Sequence, residues 1–144
     1  MGRLAPILQR RSPVVHPFAP DQMVAEAVES MARHRVGVVP VIEDGRLVGI
    51  FSERDLLHRV VSKGRSVDKT AIREVMTPDP VTASPDEDRQ SAIRKMKSVG
   101  CRHLPIVVDD TVVDMLSIRD LLDEEIEERD REIQALRGYI HGSY

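Results

Sequence analysis

Two segments of the chain set a serine three residues ahead of an aspartate, each at the end of an aliphatic run: GIFSERD at 49–55 and DMLSIRD at 114–120. Ser-x-x-Asp at the start of a helix allows two chemistries. One is a reciprocal cap, in which the Ser52 or Ser117 hydroxyl accepts from a free helix N–H while Asp55 or Asp120 reaches back to the serine amide. The other is ligand binding. The first turn of a helix offers unpaired N–H groups and the positive end of a dipole, and a serine hydroxyl there can donate to a phosphate oxygen. An ionised aspartate one turn on is a poor phosphate partner but a good acceptor for two ribose hydroxyls, so the pair suits a ribose phosphate. Arg54 and Arg119 recur beside the two aspartates. They fit either a phosphate contact or a surface ion pair of small energetic value.

Other reactive side chains form no constellation. The five histidines (His16, His34, His58, His103, His141) show no H-E-x-x-H or H-x-x-E-H spacing, so no metal site is expected. Cys101 stands alone, which excludes an intrachain disulfide and points to a reducing, cytoplasmic setting. It reads as a small buried hydrophobe, with Arg102 beside it able to lower the thiol pKa. There is no G-x-x-x-x-G-K-[ST] loop and no nucleophile–base pair, so no enzyme is expected.

The elements that must position these residues occur twice. Residues 20–57 align without gaps on 85–122 at a fixed offset of 65, matching Pro20/Pro85, Ala27/Ala92, Met31/Met96, Pro40/Pro105, Asp44/Asp109, Ser52/Ser117, Arg54/Arg119 and Asp55/Asp120. Each copy predicts a helix with one apolar face (Val24, Ala27, Val28, Met31; then Ala92, Ile93, Met96, Val99), with Asp21 and Asp86 as N-caps. A hairpin follows, 36–42 with 47–51 around Asp44-Gly45, and 104–108 with 112–116 around Asp109-Asp110. A second helix then starts near Ser52 or Ser117, and a short strand is expected ahead of each copy, at Val14-Val15 and Val81-Thr82. The fold class is therefore α/β (mixed α+β), two β-α-β-β-α units packed with approximate two-fold symmetry around a shared aliphatic core. Two such units leave clefts between them, a usual place for a ligand.

Composition agrees. The 144 residues are 41% hydrophobic but only 3% aromatic, so the core must be aliphatic, and stacking platforms for single-stranded nucleic acid are excluded. A net charge of −3 gives no basic excess for nucleic acid, and no apolar run approaches the ~18 residues of a membrane helix. The start, MGRLAPILQRRSP, has no long apolar segment and is not expected to be a secretory signal. The negative charge lies in the tail: residues 123–144 hold seven acids and three arginines, leaving 17 acids and 18 bases in residues 1–122. From Ile118 to Tyr139 the pattern predicts one long helix, continuous with the last helix of the second unit. Glu125/Arg129, Glu127/Arg131 and Glu128/Arg131 are expected to pair along it. Leu122, Ile126, Ile133, Leu136 and Ile140 form a stripe, with Arg129 at the missing step. It packs either on the chain's own body or, as we expect, on a second copy.

The repeated unit, the RVGVVPV and CRHLPIV strands, and the GIFSERD and LSIRD motifs resemble a tandem pair of cystathionine-β-synthase (CBS) domains, a Bateman module. The resemblance implies repeats at 8–61 and 71–122, a linker at 62–70 and a helical tail at 123–144. EVMTPDPVTASPD (74–86) resembles the family's entry segment, whereas the first entry, QRRSPVVHPFAPD, lacks the Met-Thr. The family's Gly, present as Gly49, is Asp114 in the second repeat. The resemblance implies a stand-alone regulatory, energy-sensing module that binds AMP, ADP or ATP, or else NAD(H) or S-adenosylmethionine, and regulates an unidentified protein in trans, as a homodimer. A ligand-free dimerisation scaffold is the alternative. Carried over by residue, Ser52 and Asp55 would face phosphate and ribose in one cleft, and Ser117 and Asp120 in the other. Ile50 and Met115 would lie along the adenine or ribose. Val36, Gly37, Val38, Cys101, Arg102 and His103 would wall the clefts, with Arg102 and His103 as phosphate partners and with a polyphosphate favouring their side. Thr77, Pro80 and Val81 would edge the adenine.

Overall fold

Asp44-Gly45 and Asp109-Asp110 close the two hairpins, and all four residues have positive φ (52°, 79°, 50° and 64°). Positive φ at both central positions matches the right-handed twist of the flanking strands. The computed structural model describes residues 2–141. In chain order it contains α1 (Ala5–Gln9), α2 (Val24–His34), β1 (Val38–Glu43), β2 (Arg46–Ser52), α3 (Glu53–Asp55) continuing as a π-helical segment (Leu56–Val61), α4 (Ile72–Val75), β3 (Thr77–Pro78), α5 (Arg89–Val99), β4 (His103–Val108), β5 (Thr111–Ser117) and α6 (Ile118–His141). One sheet has the order β1-β2-β3 and the other is the β4-β5 hairpin. The expected mixed α+β repeat pair and its long final helix are present.

Several local expectations are corrected. The entry strands at Val14-Val15 and Val81-Thr82 do not form. Each shrinks to one parallel bridge further along, Phe18 with Val41 and Ala83 with Ile106, again 65 residues apart. Asp21 and Asp86 do not cap. Helix α2 starts after Met23, whose amide donates to Glu26 (3.0 Å), while Asp21 pairs with Arg73. Helix α5 starts after Asp88. The segment 62–70 satisfies α2's free amides, since Val24 N–H donates to the Thr70 carbonyl and Ala25 N–H to that of Val67 (both 2.9 Å). Val99 lies outside the core, 48% exposed.

The aliphatic core is divided rather than shared. One cluster, around Val24, Ala27, Val39, Val41 and Phe51, belongs to the first repeat; another, around Ala92, Met96, Leu104, Ile106 and Leu116, belongs to the second. A small third cluster, Val38, Val112 and Met115 with Ile50 against it, joins them. The short helices ahead of the repeats cross over. Leu4 and Ile7 of the N-terminal segment complete the second repeat's core, and Ile72 and Val75 of α4 complete the first repeat's. Each crossing is fixed by equivalent bonds: Leu4 N–H donates to the Glu87 carbonyl, and Ile72 N–H to that of Gln22 (both 2.9 Å). The exchange ties the repeats together, and it brings residues 11–14 and 76–78 to the two Ser-x-x-Asp motifs.

Candidate functional site

Both motifs form the reciprocal cap. The Ser52 amide and hydroxyl donate to Asp55 Oδ2 (3.0 and 3.1 Å), and the Asp55 amide donates to Ser52 Oγ (3.2 Å). Ser117 and Asp120 repeat this at 3.1, 2.8 and 3.1 Å. The loops before β1 and β4 are held against the same turns. Glu53 N–H donates to the Gly37 carbonyl (3.0 Å) and Ile118 N–H to that of Arg102 (2.8 Å), with Val38 opposite Ser52 and His103 opposite Ser117. The structure therefore brings Gly37 and Val38 to Ser52, and Arg102 and His103 to Ser117. Val36 is half-buried, its amide donating to the Met31 carbonyl closing α2.

The two aspartates differ in what remains open. Asp55 is 4% exposed, and its other oxygen is occupied: Thr77 Oγ1 donates to Oδ1 (3.0 Å), with Arg59 Nε 3.7 Å away. Thr77 thus touches the aspartate rather than edging a cleft with its backbone. The Asp120 side chain is 32% exposed, and none of the described hydrogen bonds uses Oδ1. It opens on a cavity of about 210 Å³ lined by Ile7, Arg10, Arg11, Asp120, Asp123, Glu124 and Glu127. Arg11 Nη2 is 3.9 Å from Asp120 Oδ2. A second cavity, about 300 Å³, lies at the hairpin ends against Arg46, Leu47, Asp79, Pro80, Thr82, Val107 and Asp110. Pro80 is therefore apart from Asp120. Val81 is half-buried against the second repeat's core, and Met115 and Ile50 sit in the cluster joining the repeats.

Asp114 explains why the second repeat has no glycine where the first has Gly49. At Gly49 the entry segment pairs backbone to backbone, Gly49 with Pro78 and Ile50 with Thr77, and an added Cβ would fall 2.6 Å from Met76 Sδ and 2.9 Å from the Thr77 carbonyl. At Asp114 the crossing segment is held by the side chain instead. Arg11 Nη1 donates to Oδ2 (2.7 Å), and the amides of Val14 and Met115 donate to Oδ1 (3.1 and 2.8 Å). Asp114 is 2% exposed. It thereby sets Arg11 beside Asp120, a cationic contribution to the site that the sequence reading missed. The Gly-to-Asp departure was its one visible signal.

Other expected residues take different roles. Among the described residues Arg54 has no ion-pair partner; its guanidinium donates to the Gly100 carbonyl (2.9 Å), linking the repeats. Arg119 is exposed, and Arg102 is exposed and lines neither cavity. His103 is half-buried. Burial holds its pKa below the ordinary value, helped by Arg102 and opposed by Asp120 and Glu53. Burial raises the Cys101 thiol pKa, with backbone hydrogen bonding at His103 and Cys101 and the Arg54 charge only partly opposing, contrary to an activated thiol. The expected tail pairs do not form. Glu124, Glu125 and Glu128 instead surround Arg89 (3% exposed), and Arg10 lies 2.6 Å from Glu124, depressing that carboxyl's pKa. Among the described residues no group of side chains could hold a metal ion, and no helix is long and apolar enough to cross a membrane.

Comparison with known proteins bears on this geometry. A family model described as CBS domain matches residues 10–62 and 72–127. The mitochondrial CBS domain-containing protein CBSX3 of Arabidopsis thaliana is 34% identical over 129 residues, 86% of this chain, which spans 63% of the relative's length. The CBS-domain-containing protein ATU1752 from Agrobacterium tumefaciens superposes with a TM-score of 0.79 at 26% identity, covering 86% of this chain and 99% of that one. The CBS domain protein PAE2072 from Pyrobaculum aerophilum, solved in complex with AMP, superposes with a TM-score of 0.72 at 27% identity, covering 82% and 88%.

Proposed function

This chain belongs to the CBS domain family, and on that premise we propose that it is a regulatory module that binds an adenosine-containing ligand between its repeats and acts on a partner in trans. The observation that carries the reading is the partly open Asp120 carboxylate, held by Ser117 at a helix start beside Arg11 and opening on a cavity between the N-terminal segment and α6. The AMP-bound relative supports the ligand class. In this reading Ser117 and Asp120 form the primary site, with Asp120 accepting from the ribose hydroxyls. Ser52 and Asp55 form a secondary one, since a ligand there must first displace Thr77.

Charge orders the ligands. Four carboxylates and two arginines line the cavity, so among the phosphates a monophosphate such as AMP is favoured over ADP and ATP, and S-adenosylmethionine, with its net positive charge, is a stronger competitor than NAD(H). At about 210 Å³ the cavity is smaller than the ~300–1,000 Å³ usual for ligand pockets; binding therefore shifts the N-terminal segment against α6, a movement a partner can read. The reading places the protein in the cytoplasm as a homodimer, through the α6 stripe. A second reading, a ligand-free scaffold, is supported by the closed cap at Asp55. The test is a thermal-shift panel of the five ligands on wild type, Asp55→Ala and Asp120→Ala, since a ligand bound to the folded state raises the melting temperature. AMP should stabilise wild type and Asp55→Ala but not Asp120→Ala. No shift with any ligand supports the scaffold, and a shift that survives both substitutions refutes the site.

A further inference from the structure

Helix α6 carries two unlike halves. Residues 123–132 hold seven acids and two arginines, while 133–141 hold Arg137 and no acid. The face bearing Glu124, Glu125 and Glu128 is held on the body by Arg89. The opposite face is left open, with Leu122, Ile126, Ile133, Leu136 and Ile140 46–62% exposed. Their spacing, with Arg129 included, is the 4-3-4-3-4 of a coiled-coil seam.

We propose that two copies of this chain pair through α6 in an antiparallel coiled coil centred near residue 131. The proposal rests on the homodimer reading and specifies its surface and direction. The seam spacing allows either direction; the charges choose. A parallel pair stacks the acidic half on its own copy and sets Arg129 against Arg129. An antiparallel pair lays each acidic half along the other copy's C-terminal half. It layers Leu122 on Ile140, Ile126 on Leu136 and Arg129 on Ile133, and it brings Asp123 beside Arg137. Arg129 then meets Glu132 beside Ile133 rather than a second Arg129. A two-fold interface must be self-complementary, and of the two directions only this one keeps the seam arginine, Arg129, off its own copy. The seam runs about 27 Å, and the body leaves its near end, at Leu122 and Ile126, uncovered.

The test is disulfide trapping on the full chain with Cys101→Ser as background, beside sedimentation of the same samples. Leu122→Cys and Ile140→Cys chains are prepared separately and mixed. A dimer giving the mixed 122–140 crosslink, with little crosslinking of either chain alone, is the expected result. A dimer giving Leu122→Cys self-crosslinks refutes the direction but leaves the homodimer. A dimer with no crosslink of either kind refutes the α6 surface. A wild-type monomer at high concentration refutes both the proposal and the dimer reading. As a second readout, Asp123→Arg should weaken the dimer roughly threefold to tenfold, and adding Arg137→Asp should restore it; no restoration counts against the antiparallel pairing.

Discussion

Replacing Asp114 by alanine removes a carboxylate that is 2% exposed and accepts three hydrogen bonds, one from the Arg11 guanidinium at 2.7 Å and two from the Val14 and Met115 amides. A hydrogen bond to a charged group contributes about 1.5–3 kcal/mol, and an ordinary one about 1 kcal/mol. Arg11 is 23% exposed and recovers part of its hydration once released, so the net loss is set at about 2–4 kcal/mol. For a chain of this size that lowers the melting temperature by roughly 5–15 °C. The assay is urea unfolding of wild type, Asp114→Ala, Arg11→Met and the double variant, which isolates the pair energy. Asp114→Ala should be the costlier single change, because it also orphans the Val14 amide, and the two should couple by about 1 kcal/mol or more. A loss below about 1 kcal/mol, or strict additivity, would refute the claim that this carboxylate holds the crossing segment in place of strand pairing.

Gly49→Ala should cost about 1–3 kcal/mol by urea unfolding, because the new methyl meets Met76 and the Thr77 carbonyl inside contact distance. Arg89→Met leaves three carboxylates without their shared cation, so hydrogen exchange should show the first turns of α6 opening more readily, with the first repeat unaffected. His16, stacked on His34 with ring centroids 3.8 Å apart, and His103 both have pKa values lowered chiefly by burial. The unfolded chain therefore binds more protons, and stability present above about pH 6.5 should fall as the pH drops below it. A melting temperature flat between pH 5 and 7 would contradict this.

The doubled pattern was legible because it rests on local rules. The 65-residue offset, the Asp-Gly and Asp-Asp turns and the Ser-x-x-Asp caps each follow from backbone sterics and hydrogen bonding within a few residues. The crossing of the N-terminal segment was not legible, because Leu4 and Ile7 are apolar residues whose cluster partners, Ala83 to Leu121, lie far along the chain. Periodicity carries no information on such pairing. For the same reason the acids of α6 read as partners of arginines one turn away, whereas Arg89, brought in by packing of α5 on α6, meets Glu124, Glu125 and Glu128, and Glu124 also meets Arg10 and Arg131. Asp21 does not cap because it lies in a turn that closes before the helix begins: Ala19 N–H donates to Gln22 Oε1 at 2.7 Å. Of the candidate site, the residue types were readable, but the difference between a closed Asp55 and a half-open Asp120 comes from Thr77 and Arg11, both delivered by the exchange.

The most direct test of ligand binding at the Asp120 site is a calorimetric titration of AMP into wild type, Asp55→Ala and Asp120→Ala, at a temperature where circular dichroism shows all three folded. AMP should bind wild type saturably, and binding should be retained in Asp55→Ala and lost in Asp120→Ala. No binding to wild type, or loss in Asp55→Ala alone, would contradict this.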